Sequence, residues 1–381
     1  MADGDFLHES LSGVTALRNE LQRYAAAPQD GPQGLIGRHY TEDAYFDHEK
    51  ETVLSEGWFC VGRADEIAET GKYITITLLD EPIIVVNTGE GYKALSNVCR
   101  HRGMPLVQGT GSAKLFVCPY HAWSYRLNGQ LQRAPRMDNK GFDPKTCTLP
   151  EFHCIEKFGF LYVSLSEQPS DLDKALAGLT TTLAPYQPEQ FRLVHVADEI
   201  WHTNWKCLVE NFMEGYHLSV VHPQTLHGYT PTELSTKGPN GEGFTSYFAN
   251  YPEHIPSRGQ GAPTLAPENR HKSFLFATYP CQVVSISPSL LVSLNLFPRS
   301  AGRVDVRWTM STYGDELDEA TLQERIVLWS DVNREDREKL ELMQKALSSR
   351  HATGGPLAGE DFEGTVRDFL IWLAKRDQSF G

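Results

Sequence analysis

The chain has no run approaching the ~20 consecutive apolar residues that a membrane-spanning helix needs. Its most apolar window, Cys281–Phe297, is broken by Gln282, Ser285, Ser287, Pro288, Ser289, Ser293 and Asn295, and reads as strand. It has no cluster of Lys or Arg either. With a formal net charge of −14 over 381 residues, nucleic acid finds no electrostatic foothold, and neither a nucleic-acid nor a membrane partner is expected. Met1–Ser10 carries acids and no apolar segment, which is not a signal-peptide pattern and points to the cytoplasm. The seven cysteines are odd in number, which argues against a disulfide framework. No Gly-x-Gly-x-x-Gly fingerprint occurs, so a nicotinamide dinucleotide is not expected to bind this chain directly.

What is present is a globular composition, 40% apolar and 22% charged, long enough for two cores. Apolar positions Leu11, Val14, Leu17, Leu21 and Tyr24 predict a helix over 10–26, followed by a Gly/Pro-rich loop over 27–37. From Trp58 to Leu165 short β runs alternate with turn residues: Tyr73–Leu79, Pro82–Asn87, Leu115–Cys118, Tyr125–Leu127 and Leu161–Leu165. Beyond Gln168 the pattern mixes. Helices are expected at Leu172–Leu183, Thr321–Leu347 and Asp361–Ala374, with strands within Phe274–Thr312. The class is α+β. Three divisions follow: residues 1–45, a helical segment on the catalytic domain; 46–166, a small β domain; and 167–381, a catalytic domain.

The sharpest local signal is Cys99-Arg100-His101, sixteen residues, then Cys118-Pro119-Tyr120-His121. Each half pairs one thiolate with one imidazole. Zinc fingers usually group cysteines together and histidines together. The alternating order suits a [2Fe–2S] cluster in which thiolates hold one iron and imidazoles the other. Gly103 and Gly109 allow the first loop to turn closely. Trp123 and Tyr125 are expected to pack beside the site.

The second signal is the segment from Asn204-Trp205-Lys206 through Glu210-Asn211 and Glu214-Gly215-Tyr216-His217 to His222. Glu214 and His217, three apart, would share a helix face. His222, five further on, needs a helix ending or a π-type distortion to reach the same metal. Two imidazoles and a carboxylate make the facial triad of O₂-activating Fe(II) sites. Spacing leaves the carboxylate open between Glu214 and the distant Asp331, Glu335 and Asp336.

Together these residues resemble the Rieske non-haem iron oxygenase family, α subunits, from about Phe46 to the C-terminus. The resemblance implies a Rieske β domain and a catalytic domain with a curved antiparallel sheet and helices. It implies that Cys99, Cys118, His101 and His121 bind the [2Fe–2S] cluster and that His217, His222 and Asp336 bind a mononuclear Fe(II). Asp336 is picked because Glu335-Asp336…Glu341…Gln344 matches the family's C-terminal helix. Glu214 then matches the acid that bridges a cluster histidine of one subunit to an iron histidine of its neighbour, which implies a homotrimer. Electrons would come from NAD(P)H through a separate flavin/iron–sulfur reductase or a ferredoxin. Substrate and O₂ would meet at the mononuclear iron, where a small organic molecule is hydroxylated or demethylated.

Glu at position 214 and the Gly354-Gly355-Pro356-Leu357 stretch look more like the subgroup acting on choline, carnitine and betaines. The alternative is an aromatic-ring hydroxylase or O-demethylase of an aryl acid. Trp201, Phe212, Tyr216, Tyr247, Phe248, Phe274 and Phe276 offer a cage for an ammonium by cation–π attraction, set against ordinary core packing.

Overall fold

The structure is a computed structural model that describes residues 3–26, 33–138, 141–314 and 317–380. It divides into two compact units, one of residues 58–169 and one combining 1–57 with 170–381. The first division therefore falls after Gly57, because the helices and the π-turn (Lys50–Leu54) ahead of it pack within the larger unit.

The smaller unit is all β. Its strands are β1 (Phe59–Arg63), β2 (Lys72–Leu78), β3 (Glu81–Asn87), β4 (Tyr92–Ser96), β5 (Thr110–Ser112), β6 (Phe116–Val117), β7 (Ser124–Tyr125), β8 (Leu131–Arg133), β9 (Glu151–Lys157) and β10 (Phe160–Ser164). Seven form a sheet in the order β1-β10-β9-β4-β3-β2-β5, and β6-β7-β8 form a second. Ile84, Val86, Leu95, Phe116, Trp123 and Tyr125 build a core that includes Cys99 and Cys118.

The larger unit holds helices α1 (Asp3–Ala25), α2 (Arg38–Thr41), α3 (Asp43–Glu49), α4 (Leu172–Ala175), α5 (Ala177–Leu183), α6 (Trp205–Phe212), α7 (Leu218–Val221), α8 (Glu319–Leu347) and α9 (Glu360–Gln378). The helix expected over 172–183 is two, broken at Leu176. Strands β11 (Phe191–Trp201), β12 (Ser235–Lys237), β13 (Phe244–Asn250), β14 (Lys272–Thr278), β15 (Gln282–Ile286), β16 (Leu290–Ser300) and β17 (Arg303–Tyr313) form one antiparallel sheet, ordered β11-β17-β16-β15-β14-β13-β12. The apolar window 281–297 is thus two strands and their turn, as its polar interruptions suggested. The expected α+β class holds. No helix among the described residues is long and apolar enough to cross a membrane.

The buried stripe Leu17, Leu21 and Tyr24 seats α1, and Arg18 pairs with Asp377 of α9 at 3.1 Å. Of the loop expected at 27–37, residues 27–32 lie outside the described ones. Its remainder is pinned: Gly34 N–H donates to Gly355 O and Gly37 N–H to Ala352 O, both at 2.8 Å. A Cβ at Gly37 would lie 2.0 Å from Leu347 O, so no other residue fits there.

Two features fix α6, on which the site depends. Asn204 caps it: Oδ1 accepts from Lys206 N–H at 3.0 Å, while Nδ2 donates to Tyr40 O at 3.1 Å and Ala301 O at 2.8 Å. Lys206, fully buried, meets the equally buried Glu49 at 2.7 and 2.8 Å, and Trp205 Nε1 donates to the same carboxylate at 3.3 Å. Burial raises the Glu49 pKa, and the Lys206 charge works against that rise.

Removing one partner of such a pair strands a buried charge, which costs about 3–5 kcal/mol. Lys206→Met should destabilise the protein by that amount in denaturant titration. The double variant K206M/E49L should recover most of it.

His39 supplies a pH dependence. Its Nε2–H donates to Leu17 O at 3.0 Å, and burial pushes its pKa down to about 4. An unfolded histidine titrates near ~6.5. Below that pH the unfolded chain takes up a proton that the native state refuses. Stability is therefore intact above pH ~6.5 and falls as the pH drops towards 4, by up to ~3 kcal/mol. His39→Gln keeps a donor for Leu17 and should flatten the melting temperature between pH 6.5 and 4.

Candidate metal centres

In the smaller unit, Cys99 lies just beyond β4 and Cys118 just beyond β6. Each loop closes back on its cysteine: Cys99 N–H donates to Met104 O at 2.9 Å, and Cys118 N–H to Trp123 O at 2.7 Å. Gly103 sits at φ +75°, as the tight turn required. The thiols are buried, 2% and 3% exposed, whereas His101 and His121 are exposed. The imidazole rings lie 4.7 Å apart, and His101 stacks on Trp123 at 5.0 Å with the planes 8° apart.

Burial raises the Cys99 pKa, opposed by the Tyr125 hydroxyl at 3.4 Å from Sγ. The neighbouring Cys118 thiol adds to the rise in the Cys99 pKa. Two loops thus bring two inner thiols and two outer imidazoles to one place, which fits the mixed thiolate–imidazole donor set of a Rieske cluster.

In the larger unit the donors converge differently. Helix α6 ends at Phe212, and α7 begins only at Leu218, with His217 at its N-cap and His222 at its C-cap. Glu214 and His217 therefore do not share a helix face, contrary to the reading from spacing. They meet across a turn in which Glu214 Oε2 accepts from the N–H groups of Tyr216 and His217. Its other oxygen lies 2.5 Å from His217 Nδ1. The helix ending, rather than a π-distortion, brings His222 alongside.

Donor atoms of His217, His222 and Asp336 all lie within 4.8 Å of one another. Asp336 Oδ1 is 3.6 Å from His217 Nε2 and 3.0 Å from His222 Nε2. Such spacings suit three donors sharing an ion through bonds of about 2.1 Å. Asn211 Nδ2 donates to Asp336 Oδ1 at 3.2 Å.

The carboxylates that spacing left open separate cleanly. Asp331 is half-buried and pairs with Arg334, away from the imidazoles. Glu335 Oε2 lies 2.7 Å from His222 Nδ1 and accepts from Thr225 Oγ1 at 2.7 Å. Glu214 stands at the outer nitrogen of His217. Asp336 alone of the four faces both Nε2 atoms. Burial works to lower the His217 pKa, but the Glu214 hydrogen bond and the charges of Glu214 and Asp336 outweigh it and raise it.

Sequence reading missed Asn211 and Thr225 as supports, since their partners lie over 100 residues away and no periodicity links them. It also over-collected aromatics. Phe248 pairs in register with Phe274, and Phe276 follows two residues on, so all three share one sheet face. Tyr247 points to the opposite face, where Thr245 Oγ1 donates to Asp368 of α9. Phe248, Phe274 and Phe276 pack with each other and with Tyr186, away from the metal donors. Tyr216 is 58% exposed.

A curved antiparallel sheet whose flanking helices α7 and α8 bring together two imidazoles and a carboxylate, in a chain that also holds a Cys-His/Cys-His clamp, defines a two-centre non-haem iron oxygenase. Residues 189–379 match the ring hydroxylating alpha subunit (catalytic domain) family, and residues 57–155 match the Rieske [2Fe-2S] domain. The chain belongs to the ring hydroxylating alpha subunit family and is an oxidoreductase with a Rieske domain and a mononuclear-iron domain.

Among its relatives, the carnitine monooxygenase oxygenase subunit of Escherichia coli (strain K12) is 28% identical over 359 residues, 87% of this chain and 89% of that one. The glycine betaine monooxygenase oxygenase subunit of Chromohalobacter salexigens is 36% identical over 201 residues, 52% of this chain and 45% of that one. A crystal structure of a quaternary ammonium Rieske monooxygenase in complex with an inhibitor shares the fold. Its TM-score is 0.83 at 24% identity, covering 94% of this chain and 98% of that one.

Carboxylates on the outer nitrogens of metal-binding histidines typically carry about 10–100-fold of metal affinity. Glu335→Ala should weaken iron binding by that factor in chelator competition, with the visible absorption of the cluster unchanged.

Proposed function

We propose that this chain is the oxygenase component that hydroxylates or demethylates a methylated or quaternary amine. In this reading Cys99 and Cys118 hold one cluster iron, His101 and His121 hold the other, and His217, His222 and Asp336 hold Fe(II). When bound, the cluster supplies single electrons and the mononuclear iron supplies O₂ activation. The observation that carries the reading is the pair of carboxylates, Glu214 and Glu335, on the Nδ1 atoms of His217 and His222. With Nδ1–H engaged, each ring presents its Nε2 lone pair towards Asp336.

The remaining residues position and connect. Asn211 holds the Asp336 carboxylate. Glu214, tied to two backbone N–H groups and to His217, stands as the bridge to His121 of a neighbouring protomer. Its half-buried position beside exposed Tyr216, and the exposure of His121, support that role. The assembly that such a bridge requires is a homotrimer. Electrons come from NAD(P)H through a separate reductase or ferredoxin, consistent with the missing dinucleotide fingerprint. The amine substrate is supported by relatives named for carnitine and glycine betaine.

The test is product analysis with a surrogate reductase against methylated ammonium carboxylates and aryl acids. Consumption of O₂ with oxidation at a carbon next to nitrogen is expected; ring-hydroxylated aryl acid alone would overturn the amine assignment. Absence of a sulfide-containing, visible-absorbing cluster in anaerobically prepared protein would sink the whole reading. Glu214→Gln should retain both metals and lower steady-state turnover by about 10–100-fold. Unchanged turnover in that variant would remove the bridging role.

A further inference from the structure

A cavity of about 260 Å³ lies where the loop around Arg258 meets the β15–β16 turn and the first turns of α8. The proposed chemistry makes no use of it. Arg258 and Arg325 line it, with Ser257 and Ser287 beside them, and no Asp or Glu among the described residues does. That is unusual in a chain of net charge −14, where Arg18, Arg299, Arg334 and Arg337 each have a carboxylate partner.

Arg258 Nε and Nη2 are buried without a hydrogen-bond acceptor. The guanidinium is held over the Tyr229 ring at 3.9 Å and lies 5.7 Å from the Tyr251 ring. These contacts and a hydrogen bond with Tyr229 stabilise the cation but leave Nε and Nη2 without an acceptor. Arg325 lies close enough for its charge to oppose that of Arg258, and it has no ion-pair partner among the described residues. Two neighbouring like charges, one of them with its Nε and Nη2 buried, are costly without a counter-charge unless a ligand completes them.

The loop is built rather than loose. Gly261 sits at φ +62°, where a Cβ would lie 2.5 Å from Pro288 O, and Ser257 Oγ donates to Gly259 O at 2.7 Å. Arg325 and Asp336 are eleven residues apart on α8, three turns, so they share the helix's inward face about 16 Å apart along the axis. Between them Trp329 Nε1 and Asn333 Nδ2 are buried with no acceptor. From Arg325 towards the metal donors, the inward face of α8 presents donors that lack acceptors.

We propose that Arg258 and Arg325 form a carboxylate-binding pocket. Its planar guanidinium forks match a carboxylate in two parallel hydrogen bonds. The carboxylate is either the far end of a zwitterionic ammonium substrate, an assignment that rests on the function proposed above, or a separate small carboxylate.

The test is calorimetric titration of the holoenzyme with acetate and with carnitine, alone and in competition. Acetate should bind the wild type, and Arg325→Met should weaken it at least about tenfold, the worth of a charge-assisted bidentate contact. Arg258→Lys, which keeps the charge over Tyr229 but loses the fork, should also weaken it. Displacement of acetate by carnitine assigns the pocket to the substrate's own carboxylate. Binding without displacement assigns it to a separate carboxylate; either outcome supports the pocket. No binding of acetate to the wild type, or equal affinity in all three proteins, would overturn it. Iron content and cluster absorption, measured on the same samples, report separately on the oxygenase reading.

Discussion

Two carboxylate–imidazole hydrogen bonds, Glu214 to His217 and Glu335 to His222, govern the rest of the catalytic unit. An imidazole can offer either nitrogen, and a metal centre needs one fixed choice. Engaging both Nδ1 atoms leaves both Nε2 atoms for Asp336 and whatever ion joins them. These bonds need α6 and α8 in a fixed register, and the structure supplies it with polar ties. His202 N–H donates to Glu341 at 3.0 Å and Asn204 N–H to Gln344 at 2.9 Å, while Gln344 Nε2 donates to Tyr40 O at 3.0 Å. A slip of α8 by one turn would cost every one of these bonds and carry Asp336 about 5 Å from the imidazoles. The segment Asn204-Trp205-Lys206 therefore acts at a distance: it caps and anchors a helix and touches no metal donor.

The two centres solve opposite problems with the same residue types. In the smaller unit the thiols are inside and the imidazoles outside, so the histidine side of the clamp is the side open to a partner. In the larger unit the imidazoles are inside, and the two acids on their outer nitrogens, Glu214 and Glu335, are partly exposed. On the proposed reading, electrons would leave the cluster by an exposed histidine and reach the mononuclear centre through a carboxylate–histidine bond. Glu214 Oε2 also accepts from two backbone N–H groups, which holds the acid in place without a partner present.

Much of this was legible in the sequence because its signals are local. Cys99-x-His101 and Cys118-x-x-His121 lie within single loops, and strand alternation and helix periodicity placed β2, β3, α8 and α9 within a few residues. What could not be read are relations that tertiary packing makes. Spacing three along the chain suggested one helix face for Glu214 and His217, yet Gly215 and the break after Met213 end the helix, and a side-chain-to-backbone turn replaces it. Spacing could not separate Asp331, Glu335 and Asp336 either. They are near neighbours on one helix, and what separates them is rotation about α8: one residue to Arg334, one to His222 Nδ1, one to the Nε2 pair.

The sheet carries that logic towards substrate recognition. Directly paired residues share a face, so the register runs one row across the helix-facing side: Tyr247, Leu275, Ser285, Val292, Met310 and His195. Burial raises the Tyr247 pKa, and the charges of Glu214 and Asp336 act in the same direction, which places this end of the row beside the metal donors. An aromatic cage built from Phe248, Phe274 and Phe276 is excluded by the pleat, since those rings stand on the other face. Aromatic contact with a cation near the metal donors must come from the inward face, where Tyr247 stands nearest and Trp308 lies one register step from Met310. The middle of the row, Leu275, Val292 and Met310, offers methyl-sized apolar contact and no counter-charge. A cationic substrate there meets aromatic and apolar contact, since Asp336 is committed to the metal donors and Glu214 to His217, and an anionic terminus has to look elsewhere along α8 for its partner.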